Sequence, residues 1–509
     1  MIAISFSTLV KVTNGQLIAE ASSTELSIEK LVTDSRAITE NANVVTAFLA
    51  LKGPNFDGHR FAAQVSEQGC KLLIVDHHLA DIDTNKVAQL VVKDTRIALG
   101  EIAAYVKAQV APKTVGITGS SGKTTVKEMV AAILSRLGNV LATNGNFNND
   151  IGVPLTLLRL EPSHDFAVIE MGANHIGEIA YTTALAKPDV AVINNIAAAH
   201  LEGFGDLCGV ARAKGEIFSG LGENGVALYN RDTKYTSKWQ WRLTDKTVRT
   251  FSCVNPSSES SLPEDMANCY SESVSLDANG CASFTLKTEQ GSEEISLSIP
   301  GKHNVCNAVA AASIALEFGA SLEDIRLGLA QMQPVKGRLN LHHITDNNSG
   351  CTVKLIDDSY NANLESAKAA AQLLSTYSGK QILILGDMGE LGSEARSYHQ
   401  EVGEYAKQLQ LNTLLSLGVL SQSASDAFIQ GNNNNENSQH FNQREDLVAC
   451  LTALLIEQLS SGFQDIAILV KGSRSAHMEF VVKDVIQWFE QRNAKQAAST
   501  DKKIKEGKA

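Results

Sequence analysis

The segment Thr114-Val-Gly-Ile-Thr-Gly-Ser-Ser-Gly-Lys-Thr-Thr125 sets a lysine and two threonines directly behind a glycine- and serine-rich turn. An apolar strand running into such a turn, with a helix opening behind it, aims consecutive backbone N–H groups at one point, which suits a polyphosphate. Gly119, Ser120, Ser121 and Gly122 would form the turn. Lys123 would reach the outer phosphates, and the Thr124 hydroxyl, with Thr125 beside it, could ligate the magnesium that accompanies them. Ile117 stands where the usual phosphate loop has its first glycine, so the pattern is a shortened Gly-x-x-Gly-Lys-Thr. Strand, turn, Gly-Lys-Thr and amphipathic helix in this order predict binding of ATP or GTP.

Other residues of chemical interest sit at the ends of strand-like runs. Glu170 closes Phe166-Ala-Val-Ile and precedes Met171-Gly-Ala. An acid at the tip of a buried strand beside a phosphate loop is a hard, anionic magnesium ligand, or else a structural acid capping the next helix. His200 follows Asp189-Val-Ala-Val-Ile-Asn-Asn-Ile and three alanines, and taken alone reads as either a loop residue or a ligand. Lys214, in Ala213-Lys-Gly-Glu-Ile-Phe218, lies on a helix and by itself reads as a solvated cation. Asn304 and Asn307 follow Pro300-Gly-Lys-His at the start of an alanine-rich helix, where they could cap it or contact a base or phosphates. Asp357-Asp-Ser-Tyr-Asn-Ala-Asn363 ends another strand with two acids, an aromatic ring and two amides, more than a turn requires. In Lys471-Gly-Ser-Arg474, Ser473 is expected to cap an apolar helix over Ala476 to Phe489, whose N-terminal dipole together with Arg474 would favour a carboxylate.

The elements that must position these residues fall into three blocks. Residues 1–110 hold strand-like runs at Asn43 to Leu51, Lys71 to Val75 and Gln89 to Val92, then a helix over Ile97 to Gln109; Ala111-Pro112 marks a boundary. Residues 111–338 alternate apolar strands and amphipathic helices, which argues for a largely parallel sheet with crossover helices. Within this block, Val274 to Lys287 reads as a hairpin about Asn279-Gly280, and the Ser-, Pro- and Glu-rich stretch 255–267 as a surface excursion. Residues 339–493 repeat the alternation as a second doubly wound unit, with a polar loop from Gly431 to Ser438. The lysine-rich residues 494–509 are expected to be a disordered tail. The fold class expected is therefore α/β: a small mixed N-terminal domain, a P-loop-type parallel-sheet ATPase domain and a Rossmann-like C-terminal domain.

Composition narrows the function classes. A chain of 509 residues fits about three domains at roughly 150 residues each. A hydrophobic content of 44% and a charged content of 20% suit a soluble globular protein. The net charge of −12 argues against nucleic acid as a partner but leaves room for a basic pocket and an anionic small substrate. The 8 cysteines show no metal-binding spacing and read as ordinary core thiols in a reducing compartment. No basic leader and no apolar run of spanning length is evident, so a cytoplasmic protein without membrane insertion, acting as a monomer, is expected.

Taken in order, the motifs resemble the Mur ligase family over nearly the whole chain. The matching stretches are Thr33-Asp-Ser-Arg36, Phe56-Asp-Gly-His-Arg60, Thr118 to Thr125, Asn146-Phe-Asn-Asn-Asp150, Ile169-Glu-Met-Gly-Ala-Asn-His175 and Ala197-Ala-Ala-His-Leu-Glu-Gly203. They continue through Ala213-Lys-Gly-Glu216, Pro300-Gly-Lys-His-Asn304, Gly337-Arg338, Asp357 to Asn363, Gly386-Asp-Met-Gly-Glu-Leu-Gly392 and Lys471-Gly-Ser-Arg-Ser-Ala476. The resemblance is to the branch that adds D-alanyl-D-alanine to UDP-N-acetylmuramoyl-tripeptide, and it implies an ATP-dependent amide ligase working through an acyl phosphate. It implies magnesium, two ions, held by Thr124, Glu170, His200 and a carbamylated Lys214. Lys123 and Arg338 would stabilise the transferring phosphoryl group, and Asn304 and Asp358 would position the nucleotide. Ser35, Arg36 and His59 would bind the uridine diphosphate, Asn146 and Asn149 would also contact substrate, and Lys471, Ser473 and Arg474 would hold a substrate carboxylate. Another acid–amino acid ligase of the superfamily, such as a folylpolyglutamate synthetase, shares the phosphate loop. A non-catalytic nucleotide-binding scaffold would share the fold without the reaction.

Overall fold

In the computed structural model the described residues are 1–20, 26–38, 44–253, 267–430, 438–461 and 465–506, with side chains described as far as residue 496. The surface excursion expected at 255–267 and the polar loop expected from Gly431 fall almost wholly outside them. The fold is the expected mixed α/β arrangement, with one main sheet for each block and two further two-stranded sheets in the first. The first sheet orders its strands Gln16–Ile18, Ala88–Val91, Leu72–Val75, Thr46–Leu49 and Lys30–Val32; all pairings are parallel except that of Gln16–Ile18 with Ala88–Val91. The run Leu-Leu-Ile-Val over 72–75 is buried at every position, as a parallel strand covered on both faces must be.

The central sheet has nine strands. Val140–Ala142, Phe166–Glu170, Lys113–Thr118, Val190–Ile193, Val226–Asn230 and Thr247–Ser252 lie parallel in that order, and Cys269–Leu276 continues the run. Cys281–Thr288 and Gly291–Pro300 then turn back antiparallel. The hairpin foreseen at Asn279-Gly280 is present, with Gly280 in the left-handed region at φ 74°. Lys113–Thr118 precedes its neighbours in sequence yet lies between Phe166–Glu170 and Val190–Ile193. The strand order therefore reverses beside it, and ligands bind outside the carboxyl ends of strands at such a switch point.

The third sheet runs Asn340–Thr345, Thr352–Asp358, Asp465–Lys471, Lys380–Gly386, Thr413–Leu417 and Ser438–Phe441, with only the first pairing antiparallel. Its last helix, Glu479–Glu506, corrects the disordered tail expected from 494. Ala494, Lys495, Gln496, Ala497 and Ala498 are good helix formers, and they extend a helix already nucleated by packing.

The cores do not follow the three blocks. One continuous cluster joins Leu9, Leu72, Leu99, Ile102 and Val106 of the first block to Leu157, Ile179, Phe218 and Trp239 of the second. The helix Thr95–Val110 approaches Glu178–Ala186 so closely that a Cβ on Gly100 would stand 2.1 Å from the Tyr181 hydroxyl. The clusters of the third block draw only on residues from Leu339 onward.

A second correction concerns the cysteines. Cys253 and Cys306 are joined as a disulfide with Cα atoms 4.8 Å apart, while the six others are free thiols. A sequence separation of 53 hid the fact that a strand end and a helix start are neighbours in space.

Candidate active site

The phosphate loop is built as its sequence requires. Gly122 adopts φ 75°, and a Cβ there would lie 2.4 Å from Asn307 Oδ1, so only glycine fits. The helix Lys123–Leu134 opens directly behind it. The N–H groups of Ser120 and Ser121 donate to Asn195 Oδ1 at 3.0 and 2.9 Å, and Ser120 Oγ donates to the Ala197 carbonyl at 2.9 Å. The strand end after Ile193 thus braces the loop from behind, leaving Gly122 and the first helical amides for an anion. Lys123 Nζ donates to the Gly119 carbonyl at 2.9 Å, folded back over the loop. Burial pushes its amine below the ordinary lysine range; Glu170 opposes that shift and Arg338 reinforces it.

Glu170 is buried at the tip of its strand, with Oε1 accepting from Asn148 Nδ2 at 2.8 Å. Its Oε2 is buried with no hydrogen-bond partner among the described residues. An orphaned carboxylate oxygen and the Thr124 hydroxyl, on residues that line one cavity, are the oxygen donors a hard divalent cation takes, so these residues fit magnesium. The alternative of a helix-capping acid is not what the structure shows, because the next helix, Glu178–Ala186, begins at Gly177.

Arg338 reaches in from the junction of the second and third blocks. Its Nη2 donates to Thr124 Oγ1 at 3.0 Å, its guanidinium lies 4.5 Å from the Tyr360 ring centroid, and its Nε is buried without a partner among the described residues. His200 has φ 54°, and its Nδ1 pairs with the Glu390 carboxylate, from the third block. The hydrogen bond from His200 holds the Glu390 carboxyl below its usual range. Lys214 is not a solvated cation: it is buried on the helix Leu207–Gly215, 5.9 Å from the Phe204 ring centroid. Burial and the nearby Lys123 hold its amine well below the ordinary lysine range, with no acid offsetting them.

Asn304 and Asn307 lie inside the helix His303–Glu317, which starts earlier than the sequence suggests, so neither is its cap. Asn304 Oδ1 accepts from Asn307 Nδ2 at 2.8 Å, and Asn307 Oδ1 accepts from Asn194 Nδ2 at 3.1 Å; Asn194 Nδ2 also donates to the Ser121 carbonyl at 3.0 Å. A relay of amides therefore runs from this helix to the phosphate loop.

Asp358 is bound by Lys471 Nζ at 2.5 Å, and Lys471 also donates to the Asn361 carbonyl at 3.0 Å. Burial raises the Asp358 carboxyl and Lys471 opposes that rise. Lys471 is thus the counter-ion of Asp358 and also lines the cavity where it is expected to bind substrate. Ser473 is corrected: it makes no capping bond, its Oγ donates to the Asp387 carbonyl at 2.6 Å, and the α-helix beyond begins only at Glu479. Arg474 Nη1 donates to Glu479 at 2.9 Å, with its guanidinium 5.9 Å from the Tyr360 ring centroid.

One cavity of about 630 Å³ gathers much of this set. Its wall includes Ser120 to Thr125, Asn146, Asn149, Glu170, His200, Asn304, Arg338, Asp358, Lys471 and Arg474. Gly119, Lys214 and Ser473 do not line it, and Lys214 lies beneath the wall. Sequence reasoning missed Asn148, Asn194, Asn195, Tyr360 and Glu390 as working parts. Asn148, Tyr360 and Glu390 lay inside motifs already singled out, and the pair Asn194-Asn195 at a strand end was a further local signal.

Ser35, Arg36 and His59 stand apart from this cavity, beyond the carboxyl ends of the parallel strands of the first sheet. Arg36 is exposed and forks onto Asp34, with Nε and Nη2 at 2.9 and 2.7 Å. The hydrogen bond from Arg36 brings the Asp34 carboxyl down to about 2. His59 is buried between Asp57, 2.7 Å from its Nδ1, and the Asp76 N–H, which donates to its Nε2 at 3.1 Å.

Comparison with known proteins agrees along most of the chain. Residues 27–107 match the Mur ligase family catalytic domain, 117–315 the Mur ligase middle domain, and 337–474 the Mur ligase glutamate ligase domain. The UDP-N-acetylmuramoyl-tripeptide–D-alanyl-D-alanine ligase of Escherichia coli (strain K12) is 46% identical over 483 residues, covering 95% of this chain and 98% of that protein. A crystal structure of MurF from Acinetobacter baumannii shares 37% identity and superposes with a TM-score of 0.84, covering 96% of this chain and 99% of that one. The MurF ligase of Thermotoga maritima, solved in complex with ADP, shares the fold at 24% identity with a TM-score of 0.76.

Proposed function

Because this chain belongs to the Mur ligase family, we propose that it joins D-alanyl-D-alanine to UDP-N-acetylmuramoyl-tripeptide at the expense of ATP, making the pentapeptide precursor of peptidoglycan. The observation that carries the reading is the convergence of Lys123, Thr124, Glu170 and Arg338 on one cavity, whose wall holds a Glu170 carboxylate oxygen and an Arg338 guanidinium nitrogen that are buried without a hydrogen-bond partner among the described residues.

The chain's residues account for each step. Gly122 and the first amides of the helix Lys123–Leu134 cradle the phosphates of ATP, and Lys123 offers them its ammonium. The terminal carboxylate of the tripeptide attacks the γ-phosphorus, the bond to the β–γ bridging oxygen breaks, and ADP leaves, giving an acyl phosphate. The amine of D-alanyl-D-alanine then attacks the acyl carbon; phosphate departs, the nitrogen loses a proton, and the amide remains. Two anions must approach each other in the first step, and Arg338 and Lys123 neutralise the charge on the transferring group. Magnesium, when bound by Thr124 and Glu170 and by His200 with a carbamylated Lys214, supplies the remaining neutralisation. The buried Lys214 amine loses its proton readily, and the neutral amine adds carbon dioxide to become an anionic carbamate with release of a proton. Asn304 and Asp358 position the nucleotide, Asn146 and Asn149 line the substrate approach, and Arg474 offers a cation to the carboxylate of the incoming dipeptide.

Phosphate release with ATP, D-alanyl-D-alanine and UDP-tripeptides ending in diaminopimelate or lysine tests the assignment, and no release with either overturns it. The first domain is read as the holder of the uridine diphosphate through Ser35, Arg36 and His59. Among the described residues the exposed Arg36 pairs with Asp34, a solvent-screened surface ion pair of little weight, so its loss should hardly touch the fold. A charge-assisted bond to diphosphate is worth about 1.5–3 kcal/mol. Arg36→Ala is therefore expected to raise KM for the UDP-tripeptide about tenfold or more while KM for ATP stays put. Equal changes in both constants would mean a folding defect instead.

A further inference from the structure

Cys306 is the fourth residue of the helix His303–Glu317, placed between Asn304 and Asn307, and it lines the 630 Å³ cavity. Cys253 directly follows the strand Thr247–Ser252 and does not line that cavity. Their Cα separation of 4.8 Å lies in the range a disulfide spans without moving backbone. Asn230, buried beneath them, aims its Nδ2 at both sulfurs, 3.3 Å from Cys253 and 3.7 Å from Cys306. Asp232 accepts from the Cys253 N–H at 2.8 Å and fixes that strand end.

We propose that Cys253 and Cys306 are a reversible dithiol–disulfide site that sets the affinity of the cavity for nucleotide, a proposal that rests on reading the cavity as the ATP site. The amide of Asn230 and the first-turn position of Cys306 favour the thiolate, the form that reacts. Cys306, open to the cavity, is therefore the sulfur that meets a peroxide first. Its thiolate displaces hydroxide from hydrogen peroxide and becomes a sulfenic acid. The Cys253 thiolate attacks that sulfur and expels the second hydroxide. The two thiols have lost two electrons to the peroxide, and with the two thiol protons the hydroxides leave as two waters. A dithiol reductant reverses the change by exchange.

The effect on the site follows from what the bond ties down. The linked form pins the helix start to the strand end, with Asn307 Oδ1 seated over Gly122 and engaged by Asn194. Opening the bond drives the sulfurs apart to van der Waals separation and moves the turn that carries Asn304 and Asn307. Those amides are then free to exchange each other for a nucleotide. The oxidised protein should accordingly bind nucleotide less tightly than the reduced one.

The test is calorimetric binding of ADP to the full chain, reduced with dithiothreitol or treated with hydrogen peroxide, with peptide mapping of the linked cysteines. Peroxide is expected to yield the Cys253–Cys306 peptide and to weaken ADP binding on the order of tenfold, a typical coupling between two sites. Cys253→Ser should bind ADP like the reduced wild type and lose the response to peroxide. Unchanged affinity in the linked protein, failure of the linked peptide to form, or a response that persists in Cys253→Ser overturns the proposal. Failure of the reduced protein to bind ADP at all overturns the nucleotide reading itself, and the mapping arm distinguishes that result from the others.

Discussion

Alanine in place of Lys123 or Glu170 is expected to abolish ligation while leaving the fold intact. Lys123 is a half-buried cation folded over the phosphate loop, and desolvation already weakens its hold on the proton. Glu170 carries a buried oxygen with no partner among the described residues. Neither group is favourable to folding in that setting, since a buried charge or unsatisfied acceptor costs free energy unless paired. Both variants should therefore melt at or above the wild-type temperature, as residues kept for chemistry at the expense of stability do. Loss of one preorganised charge partner of a transferring group costs about 10²–10³ in rate, and loss of an acid that holds a catalytic metal more. Phosphate release and thermal melting, measured side by side, check both halves. Near-wild-type release by either variant would remove the assignment of the ATP site.

Lys214→Ala should be nearly inactive and partly restored by small carboxylates. Lys214 lies under the cavity wall with no acid to offset its burial, a setting that suits a neutral amine and, after reaction with carbon dioxide, an anion facing metal. Alanine leaves a void of the size vacated, open to formate or acetate in the role of the carbamate oxygens. The residual rate is expected to fall about 10²–10³-fold, and millimolar acetate to return a measurable part of it. Wild-type activity should also decline when dissolved carbon dioxide is stripped from the buffer and recover when bicarbonate is added. A merely structural lysine would show neither rescue nor dependence on carbon dioxide. A fully active alanine variant removes Lys214 from the mechanism.

The parts of this site that could be read in the sequence are those whose geometry is local. Gly119 to Thr125 form a loop because strand, turn and helix follow one another within a dozen residues, and Glu170 ends a strand whose apolar run announces it. What could not be read comes from distant stretches of chain. Arg338 meets Thr124 across 214 residues, and Lys471 meets Asp358 across 113; nothing in a lysine at a strand end says which acid it will neutralise. Ser473 misled for a related reason. Serine before an apolar run is a strong capping signal, yet here the chain first makes a turn of 3-10 helix and the hydroxyl goes to Asp387. Lys214 looked solvated because the helix surface it occupies is covered by segments far away in sequence. The three blocks were legible from their alternating strands and helices, but the merging of the first two cores was not, because it depends on how one helix lies across another.

That shared core makes the molecule a mechanism with a single joint. The first and second domains cannot shear past each other without opening apolar packing that runs continuously from Leu9 to Trp239, and Gly100 against Tyr181 leaves no slack between them. The third domain is attached differently, by a chain crossing at Gly337, in the left-handed region at φ 72°, and by polar contacts such as Arg338 to Thr124, Asn363 to Ser120 and His200 to Glu390. Polar contacts of this kind exchange with water at little cost, whereas the apolar seam does not. On the proposed reading, a nucleotide-linked substrate on the first domain and ATP on the second would therefore keep a fixed span, like two points on one casting. The span acts as a ruler for the length of sugar and peptide between the uridine end and the reacting carboxylate. Substrates one residue too short or too long miss the phosphorus however well their ends are recognised, and no swing of the third domain can make up the difference.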